Sequence, residues 1–488
     1  MPRQSYSTGQ SYRLFEQVYD HIENRIRRGD WKEHEKLPSI RQLAQELQVH
    51  RLTVFRAYRL LVEQGKVYVK DKSGYFLQPS GSQMPEAVDA LVPAYETVNH
   101  LSEIHRIPVA YQLSEAIIDP NLLPNMYLTD YVKRVFDLYP KVLATYSPVQ
   151  GDEELREALC RYFTKRHLFH LTPDEILITS GAQQAINLIA RILVKPMDTI
   201  LLERPTYSVA YDIFRQQGAQ IIPVDIHPDG YNLEQVEGCM RRYKPRLFYM
   251  NPTFHNPTGY TVPVEQRKKL VELAERYRCL LVDDDTCYDI YFDREPPPPL
   301  FTYDTEGCVI YIRGFSKYVS PGLRVAAVMS RPPLMKPLLT AKSLSDNGSP
   351  LLNQKMFLHY FTSDRLQQHL KKLRIALQIR KEIVEEELAA TDWQWISPQG
   401  GLNLWVRLSG GLSAEKLLAA SMRQSISFVP GIICDPKREL TSWARVSYSY
   451  ANEPQLREGM RKLIALAGSM DSWSINRGGG RSKAGGKA

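Results

Sequence analysis

Lys317 follows the apolar run Val309–Ile312, and Arg324 lies seven residues further on, in Ser316-Lys317-Tyr318-Val319-Ser320-Pro321-Gly322-Leu323-Arg324. A lysine at the carboxyl end of a strand, where ligands bind in α/β sheets, can act as a nucleophilic amine, and a nearby arginine can pair with a phosphate. Three further segments offer complementary chemistry. Ile176–Thr179 reads as a strand running into Ser180-Gly181-Ala182-Gln183-Gln184, a small-residue turn that would aim backbone N–H groups at an anion as a helix opens. Asn251-Pro252-Thr253-Phe254-His255-Asn256-Pro257-Thr258-Gly259 follows the apolar run Leu247–Met250. Leu280-Leu281-Val282 runs into Asp283-Asp284-Asp285, adjacent acids that repel one another unless a cation is near. Singly, a loop lysine is solvated and a Pro/Asn-rich segment is a turn. Together the segments converge on pyridoxal phosphate, which needs a lysine for its Schiff base, an acid facing its pyridine nitrogen and donors for its phosphate.

The elements that must position these groups are legible as a pattern. From residue 109 to 468, strand-sized apolar runs such as Thr199–Glu203, Gln220–Val224, Arg246–Met250 and Cys308–Ile312 alternate with helix-sized amphipathic segments. That alternation predicts an α/β domain with a mainly parallel sheet. Residues 79–108 open with Pro, Ser and Gly and read as a linker, partly helical around Ala87–Ala94. Residues 469–488 form a basic, Gly-rich tail expected to be disordered. The net charge is +8, unevenly spread: residues 1–80 hold 14 Lys/Arg against 9 Asp/Glu. A basic terminal module beside a near-neutral body points to a polyanionic partner for that module. The six cysteines are scattered, with no Cys-x-x-Cys pair, so neither a disulfide framework nor a zinc site is implied. No stretch approaches the roughly 20 apolar residues of a membrane span, and no secretory leader is evident at the N-terminus. The expected location is the cytoplasm, with no membrane partner.

Residues 11–78 carry a different chemistry. Val18, Ile22 and Ile26 continue a stripe spaced by four along one helix. Ile40, Leu43, Ala44 and Leu47 give a second helix one buried face, Gln48-Val49-His50 breaks it, and Val54, Ala57, Tyr58 and Leu61 define a third. Two short amphipathic helices joined by three or four residues make a helix-turn-helix. Arg51, Thr53 and Arg56 then stand where a recognition helix needs groups for base edges and phosphates. A hairpin follows, its tip carrying Lys72 and Gly74 as a wing would. Leu37, Pro38, Ser39, Arg41, Leu43, Ala44, Thr53, Val54, Ala57, Tyr58, Leu60, Gly65, Gly74 and Phe76 fall in step with the GntR-family winged helix, which this module resembles. The resemblance implies double-stranded DNA as partner, with Ser39, Arg41, Arg51, Thr53, Arg56, Lys72 and Gly74 at the DNA. Two positions depart: His50 replaces the usual serine cap, and Leu52 stands where a polar residue is common.

The motifs of the long region, in their order, resemble fold-type I aminotransferases over about 350 residues. The implied architecture is an α+β winged helix-turn-helix followed by an α/β fold-type I aminotransferase-like domain. The resemblance implies Lys317 as the Schiff-base lysine, Asn256 on the cofactor's phenolic oxygen and Tyr207 stacked on its ring. It places Gly181, Ala182, Gln183, Ser316 and Arg324 on the phosphate, Tyr146 on a partner subunit's phosphate and Arg445 on a substrate or effector carboxylate. For the acid at the pyridine nitrogen, the separation from Asn256 favours Asp284 over Asp285. The tyrosine expected three residues later is then Cys287, with Tyr288 one position late as the candidate catalytic phenol. Gly314 replaces a serine often found three residues before the lysine. The fusion of the two halves resembles the MocR/GabR group of regulators, implying a homodimer, often head-to-tail, that senses an amino compound or pyridoxal phosphate itself. The alternative is an active amino-acid aminotransferase with an appended helix-turn-helix.

Overall fold

The computed structural model describes residues 8–70, 74–78 and 100–478, and the chain divides into two units, Met1–Glu96 and Thr97–Ala488. In the first, the spacing of Val18 and Ile22 buries one side of α1 (Thr8–Arg28) in a core shared with Leu43, Val54, Ala57, Tyr58 and Leu61. Ser39 starts α2 (Ile40–Glu46) with a reciprocal cap: its hydroxyl accepts from the Gln42 N–H at 3.2 Å, and the Gln42 side chain accepts from the Ser39 N–H at 3.0 Å. His50 caps α3 (Arg51–Glu63), its Nδ1 accepting from the Leu52 N–H at 3.2 Å. The imidazole thus performs the service a serine hydroxyl would give. Strands β1 (Val67–Lys70) and β2 (Gly74–Leu77) pair antiparallel, with Lys70 opposite Gly74. Tyr58 ties the parts together: its ring stacks on Tyr75 at 4.4 Å and its hydroxyl donates to the Pro38 carbonyl at 2.7 Å. Lys72 and the helix expected around Ala87–Ala94 lie outside the described residues.

The second unit begins earlier than the pattern suggested. Helix α4 (His100–Arg106) falls inside the expected linker, because Leu101 and Ile104, three apart, give it a face to bury. The other boundary also moves. The C-terminal helix Glu453–Gly478 runs ten residues beyond 468, since the apolar series Leu456, Met460, Leu463, Ala467 continues to Met470. Disorder is expected from 469; the helix occupies residues 469–478, and residues 479–488 lie outside the described residues.

Eight strands form the central sheet: β4 (Ile176–Thr179), β5 (Thr199–Arg204), β6 (Gln220–His227), β7 (Gly230–Tyr231), β8 (Leu247–Met250), β9 (Leu280–Asp285), β10 (Val309–Gly314) and β11 (Ala326–Met329). Their order is β4-β11-β10-β9-β8-β5-β6-β7. The pairs from β10 to β6 are parallel, whereas β11 runs antiparallel to both its neighbours and β7 antiparallel to β6. Alternation along each strand feeds two cores. Leu201, Phe248, Leu281 and Tyr311 face one, while Leu202, Tyr249, Val282 and Ile312 face the other. A smaller antiparallel sheet orders β12 (Gln394–Trp395), β13 (Asn403–Arg407), β16 (Trp443–Ser447) and β15 (Val429–Pro430), and β14 (Ile426–Ser427) pairs with β3 (Tyr111–Gln112). Among the described residues, no helix is long and apolar enough to cross a membrane.

Candidate functional site

Side-chain alternation on β9 separates the three aspartates. Asp285 sits opposite Arg313 of β10 and accepts from its Nη1 at 3.0 Å and from the Tyr311 hydroxyl at 2.8 Å. Asp283 shares that face and accepts from the Leu300 N–H at 2.9 Å. Asp284 points to the opposite face, into a cavity of about 140 Å³ at the carboxyl ends of the parallel strands. Its Oδ2 accepts from the Tyr249 hydroxyl at 2.6 Å, while its buried Oδ1 has no partner among the described residues. Burial, against the Tyr249 hydrogen bond, pushes its carboxyl up to about 7. An enclosed carboxylate with a vacant oxygen calls for a cationic or N–H partner.

The remaining cavity walls supply the complement. Gly181, Ala182 and Gln183 open α5 (Ala182–Leu193), the N-terminus of a twelve-residue helix. Arg324 crosses that turn, its Nη2 donating to the Ser180 carbonyl at 2.9 Å, and the buried Ser316 hydroxyl has no partner among the described residues. These donors form an anion cradle in the cavity wall. Lys317 also lines the cavity, its Nζ donating to the Ala116 carbonyl at 2.6 Å, and burial lowers its amine below the ordinary lysine range. Tyr207 contributes a ring just ahead of α6 (Ser208–Gln216), and Asn256 its amide. The residues present therefore fit pyridoxal phosphate: an anion end, an acid end, a ring and an amine in one cavity.

Gly181 is what lets Arg324 lie over the turn. It has φ +97°, and a Cβ there would come within 2.5 Å of the Arg324 Nη2. Gly181→Ala is expected to displace the guanidinium and weaken pyridoxal phosphate binding by roughly tenfold or more, the worth of a charge-assisted hydrogen bond. A fluorescence titration of the cofactor checks this; an unchanged Kd would remove Arg324 from the cradle. Gly314 has a steric origin, because a Cβ there would meet Thr286 Cγ2 at 2.8 Å. The serine often found at that position is shut out by the Thr286 methyl.

Other expected residues fall elsewhere. Tyr288 is not on the cavity: its hydroxyl donates to the Pro296 carbonyl at 3.1 Å and its ring packs against His167 and Arg313. Its N–H donates to Asp285, so the chain turns it to the far side of the sheet. The expectation of a catalytic phenol one position late is corrected on that ground. Cys287 is the residue that neighbours Lys317, its thiol pushed up to about 11 by burial. Tyr146 is 87% exposed and away from the cavity. Arg445 is buried; its Nη1 donates to Asn256 Oδ1 at 3.0 Å, its Nη2 to the Ser114 carbonyl at 2.6 Å, and its Nε has no partner among the described residues.

Sequence reasoning missed several groups. Asn251 clamps the site, its side chain donating to the Asp284 carbonyl and accepting from the Asn256 N–H. Tyr249, two residues before it and on the same face of the sheet as Val282 of β9, could have been found from alternation. The segment Ser114–Ala116, which caps both Lys317 and Arg445, carries no such signal. His105 of α4 reaches it as well, with Nε2 3.4 Å from the Ser114 carbonyl and Nδ1 3.7 Å from Glu115.

Asp283 affords a separate test of the strand. Burial, then Asp285, push its carboxyl up to about 8, so the folded protein holds this proton more tightly than the unfolded chain. The stability it contributes is complete below about pH 4 and is lost as pH rises towards 8. Asp283→Asn is therefore expected to gain on the parent by up to roughly 1.4 kcal/mol per pH unit in that window. Thermal unfolding of both proteins at pH 5 and pH 8 measures it, and a pH-independent difference would contradict it.

In the first unit, Arg41, Arg51 and Arg56 are exposed and Thr53 is half-buried. Ser39 is exposed with its hydroxyl already accepting at the α2 cap, and Gly74 begins β2.

The comparisons with known proteins divide at the same place. Residues 14–77 match the model for bacterial regulatory proteins of the gntR family, and residues 122–463 match that for aminotransferase class I and II. The chain is 30% identical over 470 residues to the uncharacterized HTH-type transcriptional regulator YisV of Bacillus subtilis, covering 93% of this chain and 96% of that one. It is also 30% identical over 376 residues to a 2-aminoadipate transaminase of Thermus thermophilus, covering 75% of this chain and 92% of that one. Among solved structures, Pyrococcus horikoshii kynurenine aminotransferase in complex with PMP superposes with a TM-score of 0.73 at 27% identity, covering 79% of this chain and 96% of that one.

Proposed function

The chain belongs to the aminotransferase class I and II family and carries a gntR-family module ahead of that domain, the layout of MocR-type regulators; from that premise we propose that it is a pyridoxal-phosphate-dependent, DNA-binding transcription regulator that responds to an amino compound. When bound, the cofactor supplies an electrophilic aldehyde that links to primary amines. Lys317 provides the amine for its attachment, and burial keeps that amine available as a nucleophile. Asp284 would face the pyridine nitrogen, Tyr207 the ring and Asn256 the phenolic oxygen, and the α5 N-terminus, Ser316 and Arg324 would take the phosphate. The aminotransferase fold implies a dimer, in which exposed Tyr146 would meet the second copy's phosphate.

The observation that carries the sensing role is the Ser114–Ala116 segment. Its carbonyls satisfy both Arg445 and Lys317. An amino acid whose carboxylate engages Arg445 would take over the donor that now holds the Ser114 carbonyl, loosening the segment. His105 connects the segment to α4, the first described element beyond residue 99. Ligand occupancy thereby favours one arrangement of the chain over another, which is the requirement for changing DNA affinity.

The test is a fluorescence anisotropy titration against a labelled duplex from upstream of the gene, with a scrambled duplex at the same salt. The expected result is a preference of roughly a thousandfold for the native duplex, altered by pyridoxal phosphate or by added amino acids. Equal binding to both duplexes, accompanied by steady turnover of an amino donor with a keto acid, would instead make the protein an aminotransferase. Cys287 beside Lys317, where a phenol is expected in an aminotransferase, weighs against efficient turnover.

A further inference from the structure

The outward face of α3 is unusual in composition. Val54, Ala57, Tyr58 and Leu61 are fully buried, and Arg51, Leu52, Phe55, Arg56 and Arg59 are exposed. Leu52 is 55% exposed and Phe55 45%, although both are large apolar side chains. They stand three residues apart, within the first turn and a half of the helix, and so lie side by side on one face. Three arginines surround them, and the helix's only acid, Glu63, is its last residue. A surface that is cationic at its edges and apolar at its centre fits a partner of complementary build, with phosphates outside and an apolar group at the bottom of a groove.

We propose that Leu52 and Phe55 read thymine C5-methyl groups in the major groove, giving the operator half-site a requirement for thymine. The proposal rests on the DNA-binding reading above and adds the base it selects. Thymine is the one standard base that offers a methyl group on the major-groove floor, and apolar side chains contact it there. The N-terminal part of a recognition helix is the part that meets base edges. Positions three apart are separated by about 4.5 Å along the helix axis, against about 3.4 Å between base pairs. The two side chains therefore reach methyl groups one or two base steps apart. Arg51 and Arg56 are exposed on the same part of the helix and are suited to neighbouring guanines or phosphates.

The experiment selects duplexes from a random pool with the full-length protein loaded with pyridoxal phosphate. Each thymine of the enriched half-site is then replaced singly by deoxyuridine, which deletes only the methyl group. The expected result is that one or two replacements, within three base pairs, each weaken binding about three- to tenfold. Leu52→Ala or Phe55→Ala should abolish sensitivity at its own thymine while leaving the other intact. The parent protein alone suffices for the first arm, so the outcome does not depend on a variant's folding. Enrichment of a half-site with no uridine effect anywhere overturns the thymine reading and leaves the regulator standing. If no duplex is enriched, DNA binding and the thymine reading fall together, and the exposed pair becomes a docking surface for protein.

Discussion

Lys317→Ala is expected to abolish covalent retention of pyridoxal phosphate and, with it, any effect of the cofactor on DNA affinity. Lys317 is the lysine that lines the cavity, together with Asp284 and Arg324. Its neighbours Arg324 and Arg445 are guanidinium groups, which do not serve as nucleophiles at neutral pH. The measurement is the cofactor's visible absorbance remaining on the protein after desalting, followed by anisotropy with the operator duplex. The variant should fold normally, because Lys317 forms one hydrogen bond, to the Ala116 carbonyl, and its amine is held below its ordinary range by burial. Retained absorbance that resists desalting would place the attachment elsewhere. Absorbance lost together with thermal stability would point to a folding defect.

The second large effect separates two adjacent residues. Asp284→Asn is expected to weaken cofactor binding about 10- to 100-fold, the value of a hydrogen bond to a charged partner. It should leave the cofactor-free protein as stable as the parent or more so, because the carboxylate it removes is buried with one oxygen unpartnered. Asp285→Asn should do the reverse. Asp285 pairs with Arg313, fully buried and otherwise held by Asp289 at 2.6 Å. Breaking one side of such a pair strands part of a buried charge and costs about 3 kcal/mol of stability. Cofactor titration and denaturant unfolding of both variants give a crossed pattern. Parallel losses in both measurements would mean that the two faces of β9 are not functionally distinct.

That contrast shows what could be read in the residues. The separation from Asn256 favours Asp284 over Asp285, and strand alternation turns Asp284, not Asp283 or Asp285, to the cavity. Successive side chains leave a strand on opposite faces, so adjacent aspartates could not share one role. The winged helix was legible for a similar reason: its core is local, and the spacing of Val54, Ala57, Tyr58 and Leu61 already specifies a buried face. The α/β alternation, the strand-end positions of Lys317 and Asp284, and the turn that opens α5 are likewise properties of short segments.

Tyr288 shows where local reading stopped. One residue of displacement after a strand end carries the side chain to Arg313 and His167, and only the packed loop decides that side. The Gly314 departure was visible, but its cause, the Thr286 methyl from a neighbouring segment, was not. The boundaries of the large unit moved because single buried contacts, Leu101 and Ile104 at one end and Ala467 and Met470 at the other, extend helices into stretches whose composition suggests none. The two domains, the cofactor and most of the residues that line its cavity were legible because they are written in strand ends and helix starts. Tertiary structure decided which groups answer one another across the cavity: Tyr249 on Asp284, Asn251 between Asp284 and Asn256, and the Ser114–Ala116 carbonyls on Lys317 and Arg445. Contacts made between residues some two to three hundred positions apart, as the last two are, have no period for a pattern to reveal.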